Sequence, residues 1–409
     1  MADVGGLPGV DEEARDRIVL HVDNDCFYAA CERLRNPRLV GEPVVVGMGF
    51  EPGSTSGAVA TASYEAREHG VQSAQAISEA IDRLPPRAQV DSEYDGPTGI
   101  YCPVDMEYYT EQAERIKAVL RSHTERMREV SIDEAYLDVT DRTTWADAET
   151  YAAQIQDRIE TEVGLPASVG VGPNMAVAKV ASDHDKPNGL VVVHPDEVRA
   201  FLADLDVREL HGVGPKTAGR LRESGLETVG DLATADREWL VDRFGERGRE
   251  MYHRANGIDR RPVEERGDPK SLSRESSFDG PVSDDTVVRE KVRALAEAVA
   301  RRATDRGATY RTIGIKVVEP PYSVHTREQS LAGPIDDPTI VKAVAFELLE
   351  EFEDTAIRKV GVRVSNLSFA DGEQSALDAW SGDGEFEPHP IRDRTSRGQA
   401  SLGQFGDCS

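Results

Sequence analysis

Four carboxylates stand where apolar runs give out. Asp23 ends the run IVLHVD at residues 18–23, and Asp25 follows two residues later, so an extended backbone would turn both to one face. Asp133 and Glu134 fall at the turn of a predicted strand–turn–strand over residues 128–140 (REVSIDEAYLDVT). A carboxylate at the end of a buried strand is costly to desolvate, and hard divalent cations are its usual remedy. Two magnesium ions roughly 3.5–4 Å apart would activate a hydroxyl nucleophile and stabilise a departing oxygen. The same side chains could instead cap neighbouring helices or pair with arginines. The pattern alone leaves both readings open.

The elements that must position these groups read as α/β. After the strand at 18–23, a helix begins at Phe27 and a strand at 44–46 precedes a Gly- and Ser-rich loop from Gly47 to Gly57. Helical periodicity marks 76–84, 107–121 and 146–162. A strand at 167–171 then leads into a helix from Met175 to about Ser182. Neither a Walker motif nor a GxGxxG fingerprint is present. Residues 196–260 turn helical and short-looped, with HGVGPKTAGRL at 211–221. There Gly212 and Gly214 permit a tight turn, the following helix offers backbone N–H groups to a phosphate, and Lys216 adds a cation. Any tight turn between helices could use the same glycines.

Residues 262–270 form a polar linker. Beyond it the order is strand 271–278, helix 284–303, strands 310–318 and 323–330, helix 338–352 and strand 357–368. That β-α-β-β-α-β order is a ferredoxin-like split sandwich, with one helical face and one open sheet face. From residue 371 Gly, Ser, Asp and Glu dominate, and a disordered tail is expected.

The 409 residues carry a formal net charge of -27, which by itself opposes binding to a polyanion. High internal salt would screen that repulsion, and 39 Arg against 9 Lys with dispersed acidic groups suits such a setting. A solvated acidic surface on an unrelated enzyme fits the charge equally well. Residues 270–370 escape the bias, with 15 basic against 16 acidic side chains, as a module touching a polyanion would. Cys26, Cys31, Cys102 and Cys408 form no CxxC pair, which argues against structural zinc and disulfides and for a reducing cytoplasm. The acidic first residues lack a secretory h-region, and no apolar run could span a membrane.

HVDNDCFYAACE (21–32), VATASYEAREHGV (59–71), SIDEAYLDVT (131–140) and VGVGPNMAVAKVASDHDKPNG (169–189) resemble four consecutive signatures of the Y-family translesion DNA polymerases, DinB or DNA polymerase IV branch. The similarity runs in order from about residue 18 to 369. It implies a right-hand polymerase fold, DNA-directed DNA polymerase activity, dNTP as substrate and primer-template DNA as partner. The implied domains are a first palm segment within 1–26, fingers at 27–98, palm at 99–194, thumb with a helix-hairpin-helix at 195–261, linker at 262–270 and little finger at 271–369. The resemblance makes Asp23, Asp133, Glu134 and the backbone carbonyl of Asn24 ligands to two Mg²⁺ ions.

Tyr28 matches the family's steric gate, whose ring would clash with a ribose 2′-hydroxyl; without the resemblance it reads as a core or rim aromatic. Tyr64, Arg67 and Lys186 match residues that hold the triphosphate, and Thr61 adds a hydroxyl; Lys186 otherwise reads as a turn lysine. Lys179 is a weaker nomination, and Asp25 would orient the site rather than bind metal. Where family members commonly carry Met-Pro, this chain has Gln75-Ala76, which leaves the templating-base pocket undefined.

The HGVGPKTAGRL segment corresponds to the family's minor-groove grip, made without reading sequence. The little finger's strands offer Arg274, Arg311, Lys316, Arg327, Lys359 and Arg363 to phosphates. Gln399, Leu402 and Phe405 in QASLGQF resemble the peptide by which many replication enzymes bind the sliding clamp. The expected protein is monomeric and contacts no membrane. A nucleotidyl cyclase would share the carboxylates without the hairpin, the sheet module or the clamp peptide, and a catalytically dead DNA-binding scaffold would lack a ligand.

Overall fold

The computed structural model describes residues 17–369; Gln399, Leu402 and Phe405 lie outside the described residues. The chain divides between Arg266 and Gly267 into two units. In chain order the first begins with β1 (Val19–Asn24), α1 (Phe27–Arg35), β2 (Val44–Met48), β3 (Ala58–Ala62), α2 (Tyr64–Glu68), α3 (Ile77–Arg83) and β4 (Ile100–Pro103). It continues with α4 (Met106–Arg121), β5 (Met127–Glu129), β6 (Glu134–Asp138), α5 (Ala148–Val163), β7 (Ala167–Gly172), α6 (Met175–His184) and β8 (Leu190–Val192).

β1 is the centre of a five-stranded sheet ordered β5-β6-β1-β7-β8. It runs antiparallel to both neighbours, while β7 and β8 are parallel. Strand alternation divides the labour between the two faces. Leu20 and Val22, with Ala135, Leu137, Val169 and Val171, pack under apolar residues of α4 and α5. His21, Asp23, Tyr136, Ser168 and Gly170 occupy the opposite face, on the side of α6.

Helix α6 lies directly on the backbone of β7. A Cβ on Gly170 would stand 2.1 Å from the Ala178 carbonyl oxygen and 2.2 Å from the Ser182 nitrogen. Gly170→Ala must therefore lift the helix, and overpacking of this kind costs about 1–3 kcal/mol. Urea denaturation should show a lower midpoint for the variant; an unchanged midpoint would mean that α6 is free to move away.

β2, β3 and β4 make a second small sheet, ordered β3-β2-β4. Sequence periodicity does not reveal β3, β4 or β8. Each is short, and β4 joins β2 in parallel, with Val44 opposite Ile100, so no local turn announces the pairing.

Helices α7 (Val198–Ala203), α8 (Pro215–Arg222), α9 (Val229–Thr234), α10 (Arg237–Phe244) and α11 (Glu246–Ala255) follow. They close over Leu202, Leu221, Leu232, Leu240 and Met251. Gly212, at φ 92°, makes the left-handed turn before α8, and Gly214 is that helix's N-cap. Lys216 is exposed in its first turn.

The second unit contains β9 (Ser271–Val282), α12 (Asp285–Asp305), β10 (Ala308–Glu319), β11 (Ser323–Ile335), α13 (Pro338–Leu349) and β12 (Ile357–Phe369). Its four antiparallel strands are ordered β11-β10-β12-β9, the split β-α-β-β-α-β arrangement. The two helices cover a core containing Leu272, Ile313, Ile315, Val317, Val362 and Val364.

Register corrects the expected set of open-face cations. Arg327 is opposite Ile315, and Arg274 is opposite Val362, so both belong to the helix-covered side. Arg327 is buried and forks onto Glu351, with Nε 2.7 Å from Oε2, beside the Phe352 ring. Arg274 remains exposed because β9 is an edge strand. Arg311 sits at the irregularity between Tyr310 and Thr312, and its Nε donates to the Leu331 carbonyl at 3.0 Å. Lys316, Lys359 and Arg363 share the uncovered side, where Glu275 bridges the two lysines at 3.0 and 2.5 Å. No helix among the described residues is long and apolar enough to cross a membrane.

Candidate active site

Sheet register assembles the carboxylates. Asp23 on β1 lies opposite Glu134 on β6 and opposite Ser168 on β7. Asp133 precedes β6, and its carbonyl accepts the Asn24 backbone N–H at 3.1 Å and the Asn24 side-chain N–H at 2.8 Å. The end of β1 is thereby laced to the start of β6. His21, Asp23 and Glu134 offer ligand atoms that all lie within 4.8 Å of one another. Asp133 stands beside this triplet with Oδ1 accepting the Ser131 hydroxyl at 2.5 Å.

Two lysines close the cluster. Lys179 Nζ on α6 is 2.8 Å from Asp23 Oδ2, 3.5 Å from Glu134 Oε1 and 3.1 Å from Asp183 Oδ1. Lys186 Nζ meets the same Asp23 oxygen at 2.7 Å and Asp183 at 3.2 Å. Lys179, a weaker nomination from sequence, is thus central. Its i,i+4 spacing to Asp183 is visible in the sequence; its reach to Asp23 depends on α6 lying flat on Gly170.

The fields in this cluster oppose one another. Burial, then the charge of Asp23 and of Glu134, pushes the Asp133 carboxyl up to about 6 despite the Ser131 hydrogen bond. Burial also acts to raise Glu134, but His21 and the lysines outweigh it and hold the group below the usual carboxylate range. For Lys179 burial favours the neutral amine, yet Asp23, Glu134 and Asp183 raise its pKa above the ordinary value. Buried His21 is lowered by desolvation. The oxygens of Asp23, Asp133 and Glu134 are the hard donors that a magnesium-sized ion takes, and Asn24 Oδ1 is buried without a hydrogen-bond partner. The donor set fits such an ion.

Asp25 keeps to the sheet face of Asp23, since both its carboxylate oxygens meet the hydroxyl of Ser168, the residue opposite Asp23. The strand ends at Asn24, and Cys26 adopts φ 47°, which swings the chain into α1. The Asp25 carboxylate accepts the Tyr64 hydroxyl at 3.0 Å, the Ser168 hydroxyl at 2.9 Å and the Asn188 N–H at 2.7 Å. It ties α2 to the turn that follows Lys186. Arg67 donates from Nε to the Ala62 carbonyl at 3.0 Å, and its guanidinium lies 4.7 Å from the Tyr64 ring centre. Thr61 is half-buried on β3, opposite Val46.

The Tyr28 ring stacks on Tyr109, with centroids 4.6 Å apart and planes 14° apart. Tyr109 in turn donates its hydroxyl to buried Glu32 at 2.7 Å. Sequence reasoning missed His21 and Ser168. Strand parity could have found the histidine, two residues before Asp23 on the same face; Ser168 follows only from register.

Three family models match the chain: the impB/mucB/samB family over residues 22–183, the IMS family HHH motif over 195–226 and the impB/mucB/samB family C-terminal domain over 269–377. DNA polymerase IV of Halobacterium salinarum is 59% identical over 377 residues, covering 92% of this chain and 91% of that protein. DNA polymerase IV of Methanoculleus marisnigri is 41% identical over 363 residues, 88% of this chain and 98% of the relative. Among solved structures, a Y-family DNA polymerase chimera of Dbh and Dpo4 matches with a TM-score of 0.75 at 28% identity, over 86% of this chain and all (100%) of that one. An insertion ternary complex of Dbh DNA polymerase matches with a TM-score of 0.60, also at 28% identity and with the same coverage of both chains.

The fold is that of a Y-family DNA polymerase, and the chain belongs to that family in its DNA polymerase IV (DinB) branch. It is a DNA-directed DNA polymerase of the translesion class.

Proposed function

We propose that the chain adds dNTPs to a primer 3′-hydroxyl at Asp23, Asp133 and Glu134, which with the Asn24 backbone carbonyl would hold two magnesium ions. Bound there, such ions lower the pKa of an attacking hydroxyl and offset charge on departing pyrophosphate. The observation that carries this reading is the register placing Asp23 opposite Glu134, with Asp133 at the start of the same strand. Lys186 is poised to exchange Asp23 for a triphosphate oxygen. Tyr64 and Arg67, braced through Asp25, together with Thr61, line the same approach, while Tyr28 presents its ring to the sugar.

In this reading residues up to 26 and 99–194 act as palm, 27–98 as fingers, 195–261 as thumb and 271–369 as little finger, with 262–270 as linker. Gly212, Gly214 and Lys216 meet a duplex phosphate at the start of α8. Lys316, Lys359 and Arg363 offer a second phosphate surface. The enzyme works as a cytoplasmic monomer, with Gln399, Leu402 and Phe405 reserved for the sliding clamp.

Primer extension with magnesium at high salt, on an undamaged and an abasic template, tests the reaction. Extension should pass the abasic position at low fidelity. No extension on either template would sink the proposal.

A further inference from the structure

The turn that carries Lys186 is held from two sides. It follows α6 and leads into β8, with Asn188 at the left-handed φ of 56°. A Cβ on Gly189 would stand 1.8 Å from the Asp185 carbonyl oxygen, so the chain doubles back as closely as a glycine allows. Asp25 Oδ2 accepts the Asn188 N–H at 2.7 Å, and the Ser168 hydroxyl oxygen accepts the Gly189 N–H at 3.2 Å. The carbonyls are met by Gln156 on α5, 32 positions before Asn188. Its Nε2 lies 2.7 Å from the Ala167 oxygen, 3.1 Å from that of Asn188 and 3.4 Å from that of Gly189.

Carbonyl oxygens only accept, so three of them converging on one amide require its nitrogen, with two hydrogens, to face them. Gln156 is half-buried, and its helix is anchored by fully buried Ile155 and Ile159. We infer that Gln156 is a positioning residue for triphosphate binding: it clips the Asn188 carbonyl to the start of β7 and so fixes the backbone from which Lys186 reaches into the site. This rests on the reading of Lys186 as a triphosphate contact. A lysine is a point charge on a flexible stem, so a fixed origin for that stem decides how often the ammonium is within reach.

Steady-state kinetics of the full chain on saturating primer-template test the role. Gln156→Met, of similar length without a donor, should raise the KM for dNTP by about five-fold, the scale of one lost hydrogen bond, with kcat near wild type. Gln156→Glu, the same shape without the donor, should repeat the rise, and Gln156→Lys, which returns a donor, should reverse most of it. Lys186→Met should raise KM by itself, and adding Gln156→Met to it should change little, because residues that act through one contact are not additive. A wild-type KM in Gln156→Met and Gln156→Glu beside a raised KM in Lys186→Met overturns the inference alone. So do independent, additive losses in the double variant, or a fall in kcat at unchanged KM. An unchanged KM in the Gln156 variants and in Lys186→Met overturns the triphosphate reading together with it.

Discussion

Replacing Asp23 by Asn should cut single-turnover nucleotide addition by at least on the order of 10³-fold while leaving DNA binding intact. Removing one electrostatic stabiliser of a transition state typically costs about 10²–10³-fold, and a shared carboxylate ligand serves more than one interaction. Asparagine is the informative substitution. Asp23 Oδ2 accepts from both Lys179 and Lys186, and an amide oxygen can still accept while the anion is gone. Asp23→Ala would leave two largely buried ammonium groups short of a partner and could lose activity through the fold instead. Rapid-quench primer extension and a DNA mobility shift separate the two effects. Asp23→Asn activity within about ten-fold of wild type, at normal DNA affinity, would remove Asp23 from the chemistry.

The second large effect concerns the sugar. Tyr28→Ala should raise ribonucleotide use relative to deoxyribonucleotide use by on the order of 10²-fold, the scale on which a shaped pocket discriminates a hydroxyl. Rigidity is what gives the ring that authority. Tyr28 stacks on Tyr109, Tyr109 is anchored to Glu32, Glu32 pairs with Arg35 at 2.6 Å, and Arg35 pairs with Asp105, the N-cap of α4. A ring held by that chain would resist displacement by a 2′-hydroxyl. Tyr28→Phe should discriminate as the native enzyme does, because the ring edge performs the exclusion. Competing rNTP and dNTP incorporation gives the ratio directly, and an unchanged ratio in Tyr28→Ala would remove the gate assignment.

The second unit was legible because each strand and helix carries its own periodicity, and all six appear in the expected order. β1, β7, α4 and α5 were legible for the same reason. What escaped was long-range. β4 finds β2 through a parallel pairing that no adjacent turn specifies. Asp25 keeps the face of Asp23, as the spacing of two foretells, but the partners that engage its carboxylate, Tyr64, Ser168 and Asn188, are distant in sequence. Lys179 reaches Asp23 across 156 positions, a meeting written in the missing Cβ of Gly170 rather than in either charged residue. On the outer sheet, residue type marked the cations but could not say which side each one faces.

The Glu275 bridge changes what salt should do to this enzyme. A lysine already neutralised by a carboxylate gathers few bulk anions of its own, so passing it to a DNA phosphate exchanges one bound anion for another. Each free cation that meets a phosphate contributes roughly 0.9 to the slope of log affinity against log salt. Lys316 and Lys359 should each contribute less. A grip on DNA made through them would then fade only slowly as ionic strength climbs, a useful property for a protein of net charge -27. Severing the bridge with Glu275→Gln would strengthen binding in dilute buffer and steepen its loss in concentrated salt.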